Sequence, residues 1–190
     1  MVEPALPFFE WEWNRKAGRL VADKLQAAGV NTAFTVNPSD PSDLKLTPRY
    51  KIANRIKQAN PDKKCIFLSI HVNAAGNGAK WMTGTGWSAY TTKGQNRSDV
   101  YADKLYDAAE EILKPAGVRI RTDKSDGDRD IEANFTVICG AAMPAVLVEN
   151  MFQDNVSDVE FLTSDDGLEM LTDVMVKGSI DFLESEYSGK

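Results

Sequence analysis

The sequence is short of histidine, cysteine and positive charge. It has one histidine and two cysteines, and its 22 Lys and Arg residues are outnumbered by 28 Asp and Glu, which gives a formal net charge of −6. This balance argues against a general nucleic-acid-binding protein, which usually carries a basic face, but it leaves a sugar or peptide substrate open. No apolar run is long enough to cross a bilayer, so no membrane partner is expected. Met1–Pro7 has neither a basic nor a long apolar region, so we expect no signal peptide in this chain.

The two cysteines, Cys65 and Cys139, lie inside apolar, strand-like runs. Their spacing does not resemble a zinc motif. The pattern favours two buried thiols that pack as small hydrophobic residues over a disulfide or a metal-binding pair.

The length and composition indicate one globular domain over residues 1–190, with 43% hydrophobic and 26% charged residues. Apolar residues at helical spacing predict helices over four segments: 9–28, from Thr47-Pro48 onward, from a Ser98 or Asp99 cap to about Leu113, and 166–184. Apolar runs of strand length predict strands over 31–36, 65–72, 84–92, 118–122, 135–139 and 145–149. This alternation predicts an α/β domain, with a mostly parallel twisted sheet and helices on both faces.

Two smaller features complete the prediction. Ser157 and Glu160 have the spacing of a helix capping box. The acidic stretch Asp123–Asp130 reads as a solvated loop.

Polar residues at the ends of two predicted strands are the first candidates for chemistry. His71 lies near the end of CIFLSIHV, and Glu149 ends AVLVE. In open α/β sheets, functional residues gather at the carboxyl ends of the strands. Each residue alone also has a plain structural interpretation, since a histidine there can simply pack or form a hydrogen bond, and a glutamate can cap a helix or form an ion pair.

Glu10 and Asn14 form a further candidate pair on the first predicted helix. Their i, i+4 spacing places them on one face. Such pairs are common on helix surfaces, so the spacing alone does not assign a function.

Four blocks together resemble the zinc-dependent N-acetylmuramoyl-L-alanine amidases. They are EWEWNRKAGRLVADKL at 10–25, TPRYKIANRI at 47–56, SIHVNAA at 69–75 and PAVLVENMFQDN at 144–155. Their order and spacing resemble the family pattern over essentially the whole chain. The segment ENMFQDN is similar to the sequences of the family branch found in phage lysins and gut anaerobes.

The resemblance implies a site for a zinc ion and a catalytic carboxylate. The family holds zinc with two histidines and one glutamate, and the matching positions here are His71 and Glu10. Glu12 fits less well, because it lies two residues before Asn14 rather than four. The glutamate that ends the PAVLVE strand is the catalytic carboxylate, which corresponds to Glu149.

The family's other histidine lies in an Asp-Pro-Gly-His-Gly block, and nothing in this sequence matches that block. We therefore expect an N-terminally incomplete amidase domain that binds zinc weakly or not at all. In the family this block lies on a strand beside SIHVN. Its absence predicts an exposed sheet edge, with poor solubility or self-association through that edge.

The implied function is hydrolysis of the amide between N-acetylmuramic acid and L-alanine in peptidoglycan, by zinc-activated water. The parent protein would act in the cell wall, the periplasm or outside the cell, or stay cytoplasmic until lysis if it is phage-derived. One alternative is an inactive amidase-like module that binds cell-wall glycopeptide or regulates another hydrolase. Another is an ordinary α/β domain with an unrelated ligand.

Overall fold

Ten helices and strands follow one another in the part of the chain that the computed structural model describes, residues 8–37, 39, 45–125 and 127–187. The helices are α1 (Glu10–Ala27), α2 (Leu46–Ala59), α3 (Arg97–Ile112), α4 (Thr136–Cys139), α5 (Val156–Thr163) and α6 (Asp165–Tyr187). The strands are β1 (Phe67–Asn73), β2 (Ser88–Thr91), β3 (Ile131–Glu132) and β4 (Ala145–Phe152). These elements confirm the predicted α/β class. None of the described helices combines the length and apolar character that a bilayer crossing requires.

The four described strands form one sheet in the order β1-β4-β2-β3. β1 pairs with β4 and β2 pairs with β3 in parallel, whereas β2 and β4 are antiparallel. The prediction of a mostly parallel sheet is therefore confirmed, with one antiparallel junction in its middle.

Helices cover both faces of the sheet, as predicted. Val146 and Val148 of β4 face the larger core, where α1, α3 and α6 pack. Ala145 and Leu147 point to the opposite face and pack against the short helix α4. This alternation follows from the two-residue period of a strand, and a strand covered on both faces reads as a continuous apolar run.

α1 is held against the core along its whole length. Its apolar stripe of Trp13, Ala17, Val21 and Leu25 is buried. The indole N–H of Trp13 donates to the Leu162 carbonyl at 2.8 Å, which ties the first turn of α1 to α5. These contacts determine where the residues that open α1 can lie.

Three predicted strands are wrong. Residues 31–36 form no strand, because no described strand lies beside them to supply hydrogen bonds. Residues 118–122 contribute only an isolated bridge between Ile120 and Trp87.

The third wrong strand is the segment 135–139, which forms helix α4 from Thr136 to Cys139. A short apolar run does not by its periodicity distinguish a strand from a buried helical turn.

Both cysteines are free thiols, but the prediction that they are buried is also wrong, since Cys65 is half-buried and Cys139 is exposed.

The helix caps differ from the predicted positions. Asn96 caps α3, with Asp99 as the third helical residue of a capping box, so neither Ser98 nor Asp99 is the cap. Asn155 caps α5 by accepting the Asp158 N–H, which rules out Ser157 as the cap. In both cases an asparagine two residues before the predicted serine provides the cap, a role in which asparagine is among the most favoured residues.

Gly178 allows α6 to approach α3 closely, and its substitution tests this packing. A Cβ atom there would lie 2.7 Å from the Leu105 Cα, a backbone atom that cannot rotate away. We expect Gly178→Ala to lower the free energy of unfolding by about 1–3 kcal/mol. In the control Gly18→Ala, the new Cβ would lie 3.8 Å from its nearest neighbours, and stability should rise by up to about 1 kcal/mol. Urea unfolding of both variants checks this, and equal stability of the two would contradict the packing argument.

Candidate active site at the ends of β1 and β4

His71 and Glu149 lie opposite each other on neighbouring parallel strands. The register of β1 and β4 pairs Phe67 with Ala145 and continues without a shift to His71 and Glu149. Residues opposite each other in register point to the same face of a sheet, so the imidazole and the carboxylate share one face. Sheet pairing thus brings together two residues that are far apart in the sequence.

A bulge in β4 follows directly after Glu149. The pairing resumes between Asn73 and Phe152, so β4 has one more residue than β1 in this interval. Within it, Met151 has a φ of 67°, in the left-handed region that non-glycine residues seldom occupy. The buried Asn150 amide donates to the His71 carbonyl at 3.1 Å and fastens the two strands together. Such bulges commonly redirect side chains next to functional sites.

The first turn of α1 places Glu10 against the end of β1. Its Oε1 atom lies 3.2 Å from His71 Nδ1, and it accepts hydrogen bonds from the Val72 N–H at 3.2 Å and from Asn14 Nδ2 at 3.1 Å. Burial acts to raise the pKa of Glu10, but the hydrogen bonds from His71 and Val72 outweigh it, and the pKa is lowered. Glu10 is therefore ionised at neutral pH. Glu12, the less favoured alternative, is exposed.

The other ring nitrogen of His71 also has a polar neighbour. Nε2 lies 3.0 Å from the hydroxyl of Ser69, a buried residue of the same strand. The imidazole is thus held from both sides, and the proton on one nitrogen sets the role of the other.

Glu149 is the one residue of β4 that is not fully buried. Its Oε2 atom is nevertheless shielded from solvent and has no hydrogen-bond partner among the described residues. Burial and the negative charge of Glu10 raise the pKa of Glu149 to about 7, partly opposed by His71 and Arg121. A carboxylate that titrates near neutrality is well suited to exchange a proton with a substrate.

The three predicted site residues therefore meet at one corner of the sheet, with Glu10 and His71 in contact and Glu149 beside them. They do not form a single tight cluster. In the described part of the chain, one group of three potential metal ligands has all its ligand atoms within 4.8 Å of one another. That group is Asp99, Asp128 and Asp130, and it does not include the predicted site residues. Glu149 is thus set apart from the Glu10–His71 pair.

The cluster of Asp99, Asp128 and Asp130 could hold a metal ion, and sequence analysis missed it. The Thr91 hydroxyl, at the end of β2, hydrogen-bonds to Asp130 and lies 3.1 Å from Asp99 Oδ1. Asp130 is only 1% exposed, so the prediction of a solvated loop is wrong at this residue. β2 is antiparallel to β4, so this cluster lies at the opposite end of the sheet from Glu149.

A largely apolar cavity of about 640 Å³ runs along β1, the edge strand of the described sheet. Its walls come from α1, residues 30–36 and β1, and Glu10 and His71 also line it. An edge strand presents unpaired backbone groups that can accept a further strand. The exposed edge predicted beside SIHVN is therefore found among the described residues, and self-association through it stays a prediction.

Comparisons with known proteins agree with this geometry. A family model described as N-acetylmuramoyl-L-alanine amidase matches residues 5–180. The chain is 29% identical over 136 residues to an endolysin of Bacillus phage SPP1, covering 70% of this chain and 46% of that protein. It is 39% identical over 114 residues to the amidase CwlM of Bacillus licheniformis, covering 60% of this chain and 38% of that protein. The chain thus spans less than half the length of these curated relatives.

The fold is similar to solved amidase structures. The crystal structure of an N-acetylmuramoyl-L-alanine amidase from Clostridium difficile 630 matches with a TM-score of 0.72 and 25% identity, covering 94% of this chain and 86% of that one. The similarity therefore includes nearly every described element.

The raised pKa of Glu149 predicts a pH-dependent stability. Its neutral form is favoured in the folded state, so the contribution of Glu149 to the free energy of unfolding is greatest below the usual value of 4.5, falls as the pH rises towards about 7 and is level above it. We expect Glu149→Gln to be more stable than the wild type at pH 8, by up to about 3 kcal/mol, and no more stable at pH 4. Chemical unfolding at both pH values measures this. A variant that destabilises the protein equally at pH 4 and pH 8 would contradict it.

Proposed function

Because the chain belongs to the N-acetylmuramoyl-L-alanine amidase family, we propose that it hydrolyses the amide bond between N-acetylmuramic acid and L-alanine in peptidoglycan. The observation that carries this proposal is the in-register pair of His71 and Glu149, with Glu10 in contact with the imidazole. The cell wall is then the place of action, reached by secretion of the parent protein or, for a phage enzyme, at lysis.

Glu10 and His71 are the residues that would hold a zinc ion. Their nearest atoms are 3.2 Å apart, close to the distance of about 3.3 Å between two ligand atoms of a tetrahedral zinc. With Nδ1 as the ligand, the Nε2–H of His71 would donate to the Ser69 hydroxyl at 3.0 Å, which fixes the tautomer. A bound zinc supplies a water of lowered pKa and polarises the scissile carbonyl.

Glu149 is proposed as the general base and acid. It accepts the proton of the attacking water and passes a proton to the leaving amine of L-alanine. Its pKa of about 7 suits both steps, because each protonation state is populated near neutral pH. Both transfers are needed, since an amine leaves poorly unless it is protonated.

We expect weak zinc binding by the chain as printed. It contains one histidine, whereas catalytic zinc sites use three protein ligands. Isothermal titration with zinc should therefore give weak binding that Glu10→Gln and His71→Ala reduce further. Glu12→Gln is the matched control, because Glu12 is exposed on the same helical turn, and it should leave binding unchanged. Tight stoichiometric binding, or equal effects of the Glu10 and Glu12 variants, would contradict the assignment.

Hydrolysis itself is tested on purified peptidoglycan. We expect a version of the chain that carries an additional N-terminal strand with a histidine to release peptides with L-alanine at the amino terminus, and the printed chain to release far less. Glu149→Gln should lower the rate by about 10²–10⁴-fold without preventing folding. Binding of peptidoglycan without any cleavage by the extended chain would favour the inactive glycopeptide-binding module instead.

A further inference from the structure

A second cavity, of about 390 Å³, opens at the same corner of the sheet as Glu149. Asn73 at the end of β1, Phe152 at the end of β4 and Tyr90 of β2 line it, together with Arg119 and Arg121. Arg121 is near enough to Glu149 to lower the pKa of that carboxyl. The cavity thus lies close to Glu149, although Glu149 itself does not line it.

Neither arginine of this cavity forms a salt bridge within the part of the chain that the structure describes. Arg121 Nη1 is buried without a hydrogen-bond acceptor, and no described carboxylate forms an ion pair with Arg119 or Arg121. A buried guanidinium nitrogen without an acceptor is energetically unfavourable. An anion in the cavity would lower this cost through its opposite charge.

The acidic residues around the cavity are already engaged by the backbone. Asp154 accepts the N–H groups of Ala75 and Gly76 at 2.6–3.1 Å. Asp158 accepts the Thr85 hydroxyl at 2.6 Å and the N–H groups of Gly86 and Phe152. These carboxylates shape the loop that walls the cavity, and neither forms a salt bridge with Arg119 or Arg121.

Arg121 is held in place before any ligand binds. Its guanidinium lies over the Phe152 ring, 5.0 Å from the ring centroid. Its backbone N–H donates to Trp87 O at 2.8 Å, and its carbonyl accepts the Tyr106 hydroxyl at 2.9 Å. A fixed, planar guanidinium matches a carboxylate well, since two parallel N–H groups can bind both oxygens.

We propose that Arg121, assisted by the exposed Arg119, binds an ionised carboxylate of the stem peptide. This inference rests on the proposed function and adds a determinant of substrate specificity to it. The peptide side is chosen on chemical grounds, because N-acetylated sugars are neutral and the lactyl carboxyl of muramic acid is consumed in the scissile amide. The free carboxylates of an intact substrate therefore lie in its peptide.

The test compares two soluble ligands that differ only at two carboxyl groups, which are ionised in one and neutral amides in the other. They are N-acetylmuramoyl-L-alanyl-D-glutamate with both carboxylates free, and the same compound with both amidated. Binding is measured by calorimetry in the presence of a chelator, so that a metal ion neither binds the carboxylates nor supports hydrolysis. We expect the acid to bind about tenfold more tightly than the diamide.

Variants locate the source of this preference. Arg121→Gln should abolish it, Arg121→Lys should retain part of it, and Arg119→Gln should reduce it less. Lys114→Gln is the charge-matched control, because Lys114 is exposed at the end of α3 and lines neither cavity. Thermal unfolding verifies the fold of each variant. Should Arg121→Gln not fold, the Arg121→Lys variant decides.

The outcomes separate this inference from the proposed function. Equal affinity of the wild type for both ligands, or a preference that Arg121→Gln and Arg121→Lys both leave undiminished, would overturn the carboxylate site and leave the amidase function standing. Binding of neither ligand, together with no cleavage of peptidoglycan by the extended chain, would overturn the amidase function and this inference with it.

Discussion

The parallel pairing of β1 with β4 is the interaction on which the site depends. It places His71 opposite Glu149, and the Asn150 amide and the bulge at Met151 hold that end of the two strands. A slip of one residue would move Glu149 to the opposite face of the sheet, away from the imidazole. The apolar residues that precede Glu149 prevent such a slip, because they alternate between two separate cores.

Charge is distributed unevenly around this pairing. The chain as a whole carries a net charge of −6, yet Arg119 and Arg121, at the corner beside Glu149, form no salt bridge with any described carboxylate. Glu149 and Asp130, at opposite ends of the sheet, both have a pKa raised to about 7, and burial is the main cause in each. Burial of each carboxyl group away from water lowers the stability of the fold at neutral pH. At Glu149, the proposed proton transfers account for this burial.

Sequence patterns predicted the long elements and the site residues better than the short elements. The apolar stripe that begins at Trp13 predicted α1, because helical periodicity is clear over many residues. The continuous apolar runs before His71 and Glu149 predicted β1 and β4, because a strand covered on both faces is apolar throughout. Residues 135–139 are too few for that signal and became a helix. Arg121 and the buried Asp130 were not singled out, because neither has a local pattern that distinguishes it from a surface charge.

The fold class, the amidase resemblance and three candidate residues could be predicted without coordinates, because motifs and hydrophobic patterns can be recognised along the chain. The folded chain was needed to establish which glutamate of α1 contacts His71, how deeply Glu149 is buried and which arginines lie near it. Those properties arise from contacts between segments far apart in the chain, where desolvation and through-space charge act, and no local pattern records them.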